Sequence, residues 1–182
     1  DDVYGWDFVN DDNNPDAGPQ TGVVYEADSV RHGTHCAGAV GATTNNGIGV
    51  AGHDWACQLM MLRVVGFAGG SDTMALSGIQ YAIDMGADVI SLSLGGSYSP
   101  AYDAVFANAH AAGVVVVAAA GNESLVFTDD PGTWQSPVCN DGPNLGVDNF
   151  VLGVGASDAS DTVGDFSNRD ASSYNFVDVI AP

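Results

Sequence analysis

Lysine is absent from the chain, and its basic side chains are three arginines, Arg31, Arg63 and Arg169. Against them stand 21 Asp and 2 Glu in 182 residues, a formal net charge of −20. Without clustered Lys or Arg there is nothing to displace phosphate counterions, which excludes a nucleic-acid partner. The same imbalance excludes docking on an anionic membrane surface. Long apolar runs are also missing: Ala111 to Ala120, ten residues interrupted by Gly113, is too short to span a bilayer. No G-x-x-x-x-G-K-[ST] and no G-x-G-x-x-G occurs, so no nucleotide site is expected. Three cysteines, Cys36, Cys57 and Cys139, leave at least one thiol unpaired, and a Cys57–Cys139 bridge would need two segments with no reason to meet. Internal repeats, low-complexity tracts and linkers are absent too, which predicts one domain.

What remains is 46% apolar and 9% aromatic, well above a disordered chain. At this length one domain buries about 70% of its unfolded surface. The acid is unevenly spread, with six Asp in the first sixteen residues. A diffuse negative surface serves solubility and salt tolerance, whereas clustered carboxylates are hard oxygen ligands for calcium; the composition is compatible with both.

The middle of the chain alternates strand and helix signals. Gln58 to Val65 is an apolar, partly β-branched run that stops at Gly66. Asp72 to Met85 places Met74, Leu76, Ile79, Ala82 and Ile83 at helical spacing behind Ser71 or Asp72 as N-cap. Asp88 to Ser93 reads as a buried strand halted by Gly95-Gly96, and Pro100 to Ala112 as a helix closed by Gly113. Val114 to Ala120 has no alternation, as expected of a central parallel strand covered on both faces. Phe150 to Ala156 and Val177 to Ile180 add two more strands. The order predicts βαβ units and an open parallel sheet, an α/β fold.

In such sheets ligands bind beyond the carboxyl ends of the strands. That rule selects Gly66–Asp72, Ser93–Ser97 and Gly121–Ser124. Arg31-His32-Gly33-Thr34-His35-Cys36 is the strongest local chemical signal. His32 is expected to open a helix, with His35 and Cys36 three and four residues on, over the same side. A histidine there can act as a general base if a carboxylate holds its second nitrogen; two helical histidines with packing roles fit the spacing equally well. A zinc site would need a third ligand, and His53 and His110 lie in unrelated segments. Asn122, just past an apolar strand, suits a donor aimed at an oxyanion, although Gly121-Asn122 is also ordinary turn chemistry.

Taken together, these segments resemble the subtilisin-like serine peptidases, in particular their thermitase-like branch. His32 to Gly38 (His-Gly-Thr-His-Cys-Ala-Gly) is similar to that family's catalytic-histidine motif. Thr44 to Gly52 resembles its next loop, Ala87 to Gly96 its substrate-binding strand, and Ala119 to Glu123 its oxyanion segment. Phe166-Ser167-Asn168 and Val177 to Pro182 resemble its later core. The matches run in family order along nearly the whole chain. The resemblance implies a three-layer α/β/α fold with a mainly parallel central sheet and a monomer acting on polypeptide substrates outside the cell. It makes His32 the general base and Asn122 the side-chain oxyanion donor. Ser93, Leu94 and Gly95, with Ala119, Ala120 and Gly121, become walls of the primary specificity pocket. A peptide would lie as an added strand between Ser93–Gly95 and the edge Gly69, Gly70 and Ser71.

The resemblance also implies Ca2+. Asp7, Asn10, Asp12, Asn14 and Asp16 match the branch's medium-affinity loop, with a solvated acidic turn as the plainer reading. The carbonyls of Thr43, Ile48 and Val50 with the Asn46 side chain match its strong site, whose remaining carboxylate would lie further upstream. Two family motifs are absent: the Asp-(Ser/Thr)-Gly that carries the triad Asp before the histidine, and the Gly-Thr-Ser-Met that carries its Ser. Residues 1–182 are therefore expected to be the internal part of a catalytic domain, truncated at both ends and inactive alone. A second expectation, from another class, is a non-catalytic, calcium-dependent binding module that keeps the cleft. Two stretches, Gly18–Ser29 and Ser124–Asn149, are longer than their family counterparts and are expected to be surface loops near the cleft.

Overall fold

The computed structural model describes residues 5–16, 27–66, 69–142, 144 and 148–182, with 27–30 described by backbone alone. The chain divides into two compact units, Asp1–Gly78 and Ile79–Pro182. Most of the Gly18–Ser29 stretch lies outside the described residues.

In the first unit, β1 (Gly5–Asp7) pairs in parallel with a later strand, β2 (Met61–Arg63). Gly5 has a φ of 107°, and a Cβ there would run into the Met61 carbonyl, so the pairing requires glycine. Between the two strands lies α1 (Ala27–Gly41). It begins five residues before His32, which corrects the expectation that His32 opens the helix. Ala27 to Arg31 contains neither Pro nor Gly, so nothing in the sequence stops the helix from extending upstream. After α1 the chain folds back on the helix end, with Gly52, His53 and Asp54 N–H groups donating to the Ala42, Ala39 and Val40 carbonyls.

The apolar run 58–65 forms less strand than its composition suggests. It gives β2, then breaks at Val64, because β3 (Val65–Gly66) turns into an antiparallel pair with β4 (Gly69–Gly70). Helix α2 follows at Asp72–Asp84. Ser71 is its N-cap, its Oγ accepting the Met74 N–H at 3.3 Å, and Gly86 closes the far end at a φ of 78°.

The second unit is built on a four-stranded, all-parallel sheet. Its members are β5 (Val89–Leu92), β7 (Val115–Ala119), β10 (Val151–Ala156) and β12 (Val179–Ala181), in the order β12-β10-β7-β5. Between β5 and β7 come β6 (Gly96–Ser97) and α3 (Ala101–Ala111). Pro100 is the N-cap of α3, and Gly113, at a φ of 78°, follows its C-cap Ala112. Between β7 and β10 come β8 (Val126–Phe127) and β9 (Gln135–Ser136); β11 (Arg169–Asp170) pairs with β8, and β9 pairs antiparallel with β6.

Tyr102, Val105, Phe106 and Ala109 of α3 are buried, as are Val116, Ala118 and Val151 of the strands. The alternate residues are not: Val115 is 50% exposed and Leu152 and Val89 are also open. Among the described residues β7 is thus covered on one face rather than two, and its unbroken apolar run is sorted by the pleat into a buried and an exposed row.

Part of the described 124–149 stretch departs from the surface loop expected of it. Phe127, Trp134 and residues 136–142 are buried. Trp134 makes edge-on contacts with Tyr98, Tyr174 and Phe176, and Phe127 with Phe176. Ser136, Asn140, Ser99 and Asp103 share a hydrogen-bonded network beneath it. The aromatic side chains supply enough apolar area, and the network enough polar partners, to bury irregular backbone.

Candidate active site

In the first unit, His32 lies in the second turn of α1, exposed, with Cys36 Sγ 3.8 Å from its Nε2. The i, i+4 spacing read from the sequence therefore brings the two together. Cys36 is half-buried rather than fully packed, and all three cysteines are free thiols. Gly69 and Gly70 form exposed β4, and Ser71 is spent on capping α2.

In the second unit, β5 and β7 are neighbours, with Leu92 opposite Ala118. Ser93–Gly95 and Ala119–Gly121 consequently leave the sheet at the same edge, as two parallel strand exits. Ser93 and Gly95 are exposed and Leu94 is half-buried. Ala120 is tied to β10 by its N–H on the Val154 carbonyl at 2.8 Å. The chain then turns at Gly121, whose φ is 105°. Asn122 follows, exposed, its backbone N–H donating to Glu123 Oε2 at 3.0 Å. Its main chain is thereby fixed while its side chain faces outward.

Two residues at this edge carry no local sequence signal. Gln135 pairs with Ser97 through β9 and β6, and its Oε1 accepts from Asn168 Nδ2 at 3.0 Å. Asn168 is fully buried under the Gly121 turn. Neither is predictable from spacing, since their partners lie tens of residues away; the resemblance of Phe166-Ser167-Asn168 to family core was the one available pointer.

The calcium-matching loop is bound to its own backbone. Asp7 is 0% exposed, and its Oδ2 meets Arg63 Nη1 at 2.7 Å and Asn10 Nδ2 at 2.9 Å. Its Oδ1 accepts the N–H groups of Val9 and Asn10. Burial opposes its charge, but the Asn10 N–H, the Arg63 guanidinium and the Val9 N–H outweigh that and hold its carboxyl below the usual range. Asp12 Oδ1 accepts from Asn14 N–H and Asn14 Oδ1 from Asp16 N–H, so the loop is a chain of Asx turns with its oxygens exposed. Around Thr43, Ile48 and Val50 the loop is open, and Asn46 Oδ1 accepts the Ile48 N–H at 2.9 Å. Among the described residues no group of three or more His, Cys, Asp or Glu is placed to hold a metal ion. Among them, too, no helix is long and apolar enough to cross a membrane.

Comparison with known proteins agrees with this geometry. The model of the subtilase family matches residues 5–182. Thermitase of Thermoactinomyces vulgaris is 36% identical over 182 residues, covering 99% of this chain and 55% of the relative. The major intracellular serine protease of Bacillus subtilis (strain 168) is 33% identical over 99% of this chain and 51% of its own length. Among solved structures, a cold adapted subtilisin-like serine proteinase superposes with a TM-score of 0.66 at 27% identity, over 99% of this chain and 55% of that one. The chain thus spans about half the length of the relatives it matches. With the family model matched from residue 5 to residue 182 and relatives 33–36% identical over 99% of it, this chain belongs to the subtilase family.

Proposed function

We propose that the protein containing this chain is a serine endopeptidase. Its two units would be parts of one catalytic domain, and residues 1–182 alone would not hydrolyse peptides. The observation that carries this reading is the paired strand exit, Ser93–Gly95 beside Ala119–Gly121, presenting Asn122 outward in a chain of this family. In it His32 removes the proton of a serine hydroxyl as that oxygen attacks the scissile carbonyl, then returns the proton to the leaving amine. The Asn122 carboxamide donates to the oxygen that becomes negative in the tetrahedral intermediate. Ser93–Gly95 offers main-chain partners to an extended polypeptide, and Ala119–Gly121 the wall beside the cut residue. The orienting Asp and the nucleophilic Ser stand in motifs that residues 1–182 do not contain, and we place both elsewhere in the protein.

The test is a fluorophosphonate probe applied to the full-length protein. Covalent labelling, lost in His32→Ala, is expected; no labelling of the folded protein would leave a calcium-dependent binding module as the reading. When the equivalent amide is removed from subtilisin, kcat falls by on the order of 10²–10³, and Asn122→Ala is expected to do the same.

We further propose a structural calcium at the first loop. Asp12, Asn14 and Asp16 expose hard oxygens of the kind calcium takes, and Asn10 stands beside them. Asp7, matched to the same ligand set, is already committed to Arg63 and fits better as the anchor of the loop. The second set, Thr43, Asn46, Ile48 and Val50, offers mainly carbonyls and needs a carboxylate from elsewhere. A bound ion stabilises the native state in proportion to ln(1 + [L]/Kd). Chelation should therefore lower the Tm of the full-length protein, and less so in Asp12→Asn/Asp16→Asn; an unchanged Tm on chelation would end the proposal. We propose a place outside the cell, as the family resemblance implies, although one relative is named as an intracellular protease; recovery of the protein from the culture medium of producing cells decides between the two.

A further inference from the structure

Asn168 has a fully buried side chain, 0% exposed, and most of its hydrogen-bond partners lie in one short loop. Its Oδ1 accepts two backbone N–H groups, Glu123 at 3.1 Å and Leu125 at 2.8 Å. Its Nδ2, which carries two protons, has three acceptors within reach, the Ala120 carbonyl at 2.9 Å, Glu123 Oε2 at 2.8 Å and Gln135 Oε1 at 3.0 Å. Its own backbone N–H donates to the Gly121 carbonyl at 3.0 Å. The residues held, Ala120, Gly121, Glu123 and Leu125, bracket Asn122 on both sides. The bond to Glu123 extends the hold one step further, because the same Oε2 takes the Asn122 N–H.

The chemistry requires an amide at this position. Asp has no donor for the Ala120 carbonyl and would set a second carboxylate against Glu123. Leu would take this partner from the Glu123 and Leu125 N–H groups and from the Ala120 carbonyl. The turn is shaped around it: a Cβ on Gly121 would stand 2.5 Å from Asn168 Nδ2 and 2.6 Å from Glu123 Oε2.

We propose that Asn168 is the positioning residue of the oxyanion loop, fixing the backbone from which Asn122 presents its carboxamide and so setting turnover rather than substrate affinity. The inference rests on the reading of Asn122 as oxyanion donor. A donor misplaced by a fraction of an ångström still allows substrate to bind, but loses the interaction that grows in the transition state.

The experiment is a double-mutant cycle in the full-length protein, with kcat and KM on a peptide substrate per fluorophosphonate-titrated active site and the Ki of a peptide boronate. For Asn168→Asp, kcat should fall by roughly 10–100-fold, boronate affinity should fall in parallel, and KM should stay within about threefold. Added to Asn122→Ala, it should cost little more, because the two act through one group. Glu123→Ala, an exposed change that removes only the relay, should lower kcat by about 3–10-fold at unchanged KM, and it decides the matter if Asn168→Asp does not fold. A purely structural Asn168 would lower Tm and the titratable fraction while kcat per titrated site stayed intact, and that result overturns the inference, as does Glu123→Ala with an unaltered kcat. Losses that multiply in the double variant overturn it while leaving Asn122 as donor; full turnover in Asn122→Ala removes the donor reading and this inference with it.

Discussion

Two buried side chains in the second unit have titrations moved by their surroundings, and each gives a measurable consequence. Asp141 accepts the N–H groups of Phe150 and Val151, tying its loop to the start of β10. Burial above all raises its carboxyl to about 6, against the pull of the Val151 and Phe150 N–H groups and with the charges of Asp178 and Asp148 adding to the rise. The folded state thus holds this proton more tightly than the unfolded chain, whose carboxyl has its ordinary value of 3.8. The stability it contributes is full below about pH 4 and is lost as pH rises through about 6. Asp141→Asn, which keeps an acceptor but cannot ionise, should raise Tm at pH 7–8, with the gain closing toward pH 4; a gain constant with pH would contradict this. Cys139 is buried, and desolvation above all raises its thiol to about 12. In the native full-length protein at pH 8 a disulfide reagent should modify exposed Cys57 quickly and Cys139 only after denaturant is added. Asn168 was hidden at this scale: one Asn among many has no periodicity, and its partners are 33 to 48 residues away.

Among elements, the parallel pairing of β1 with β2 carries an ion pair between register partners, Asp7 and Arg63. Asp7 is buried and Arg63 half-buried, and their separation in sequence is 56 residues. Arg63→Met would leave the Asp7 carboxylate buried with only its amide partners, a loss of about 3–5 kcal/mol. Because the Asp7 carboxyl is held below its ordinary range, its contribution is present above about pH 4 and lost as pH falls through the folded value. The variant should accordingly show a lower midpoint in urea at pH 7, and a gap to the parent that narrows in acid. The major helices and the strands of the parallel sheet were legible because their signals are local. Ser71 caps α2, Gly113 follows α3, and β-branched runs form β5 and β7. The start of α1 and the break at Val64 were not, since nothing punctuates the first and a tertiary pairing makes the second.

For the whole molecule the dominant quantity is a charge of −20 on residues 1–182 with no lysine to offset it. Self-repulsion of that size destabilises compact states and is screened over about 10 Å at 0.1 M salt. The Tm of the full-length protein should rise from low salt to about 0.5 M sodium chloride, and activity should not decline monotonically over that range. Family and charge were determined by the sequence alone, because motifs such as His32 to Gly38 and Ala119 to Glu123 are contiguous and keep their identity whatever surrounds them. Only the tertiary structure decided that β7 buries Val116 and Ala118 but not Val115, that Phe127, Trp134 and residues 136–142 are buried, and that Asn168 lies beneath Gly121. Those outcomes depend on which distant groups share a desolvated space, where a polar atom must find a partner, and chain order does not record that.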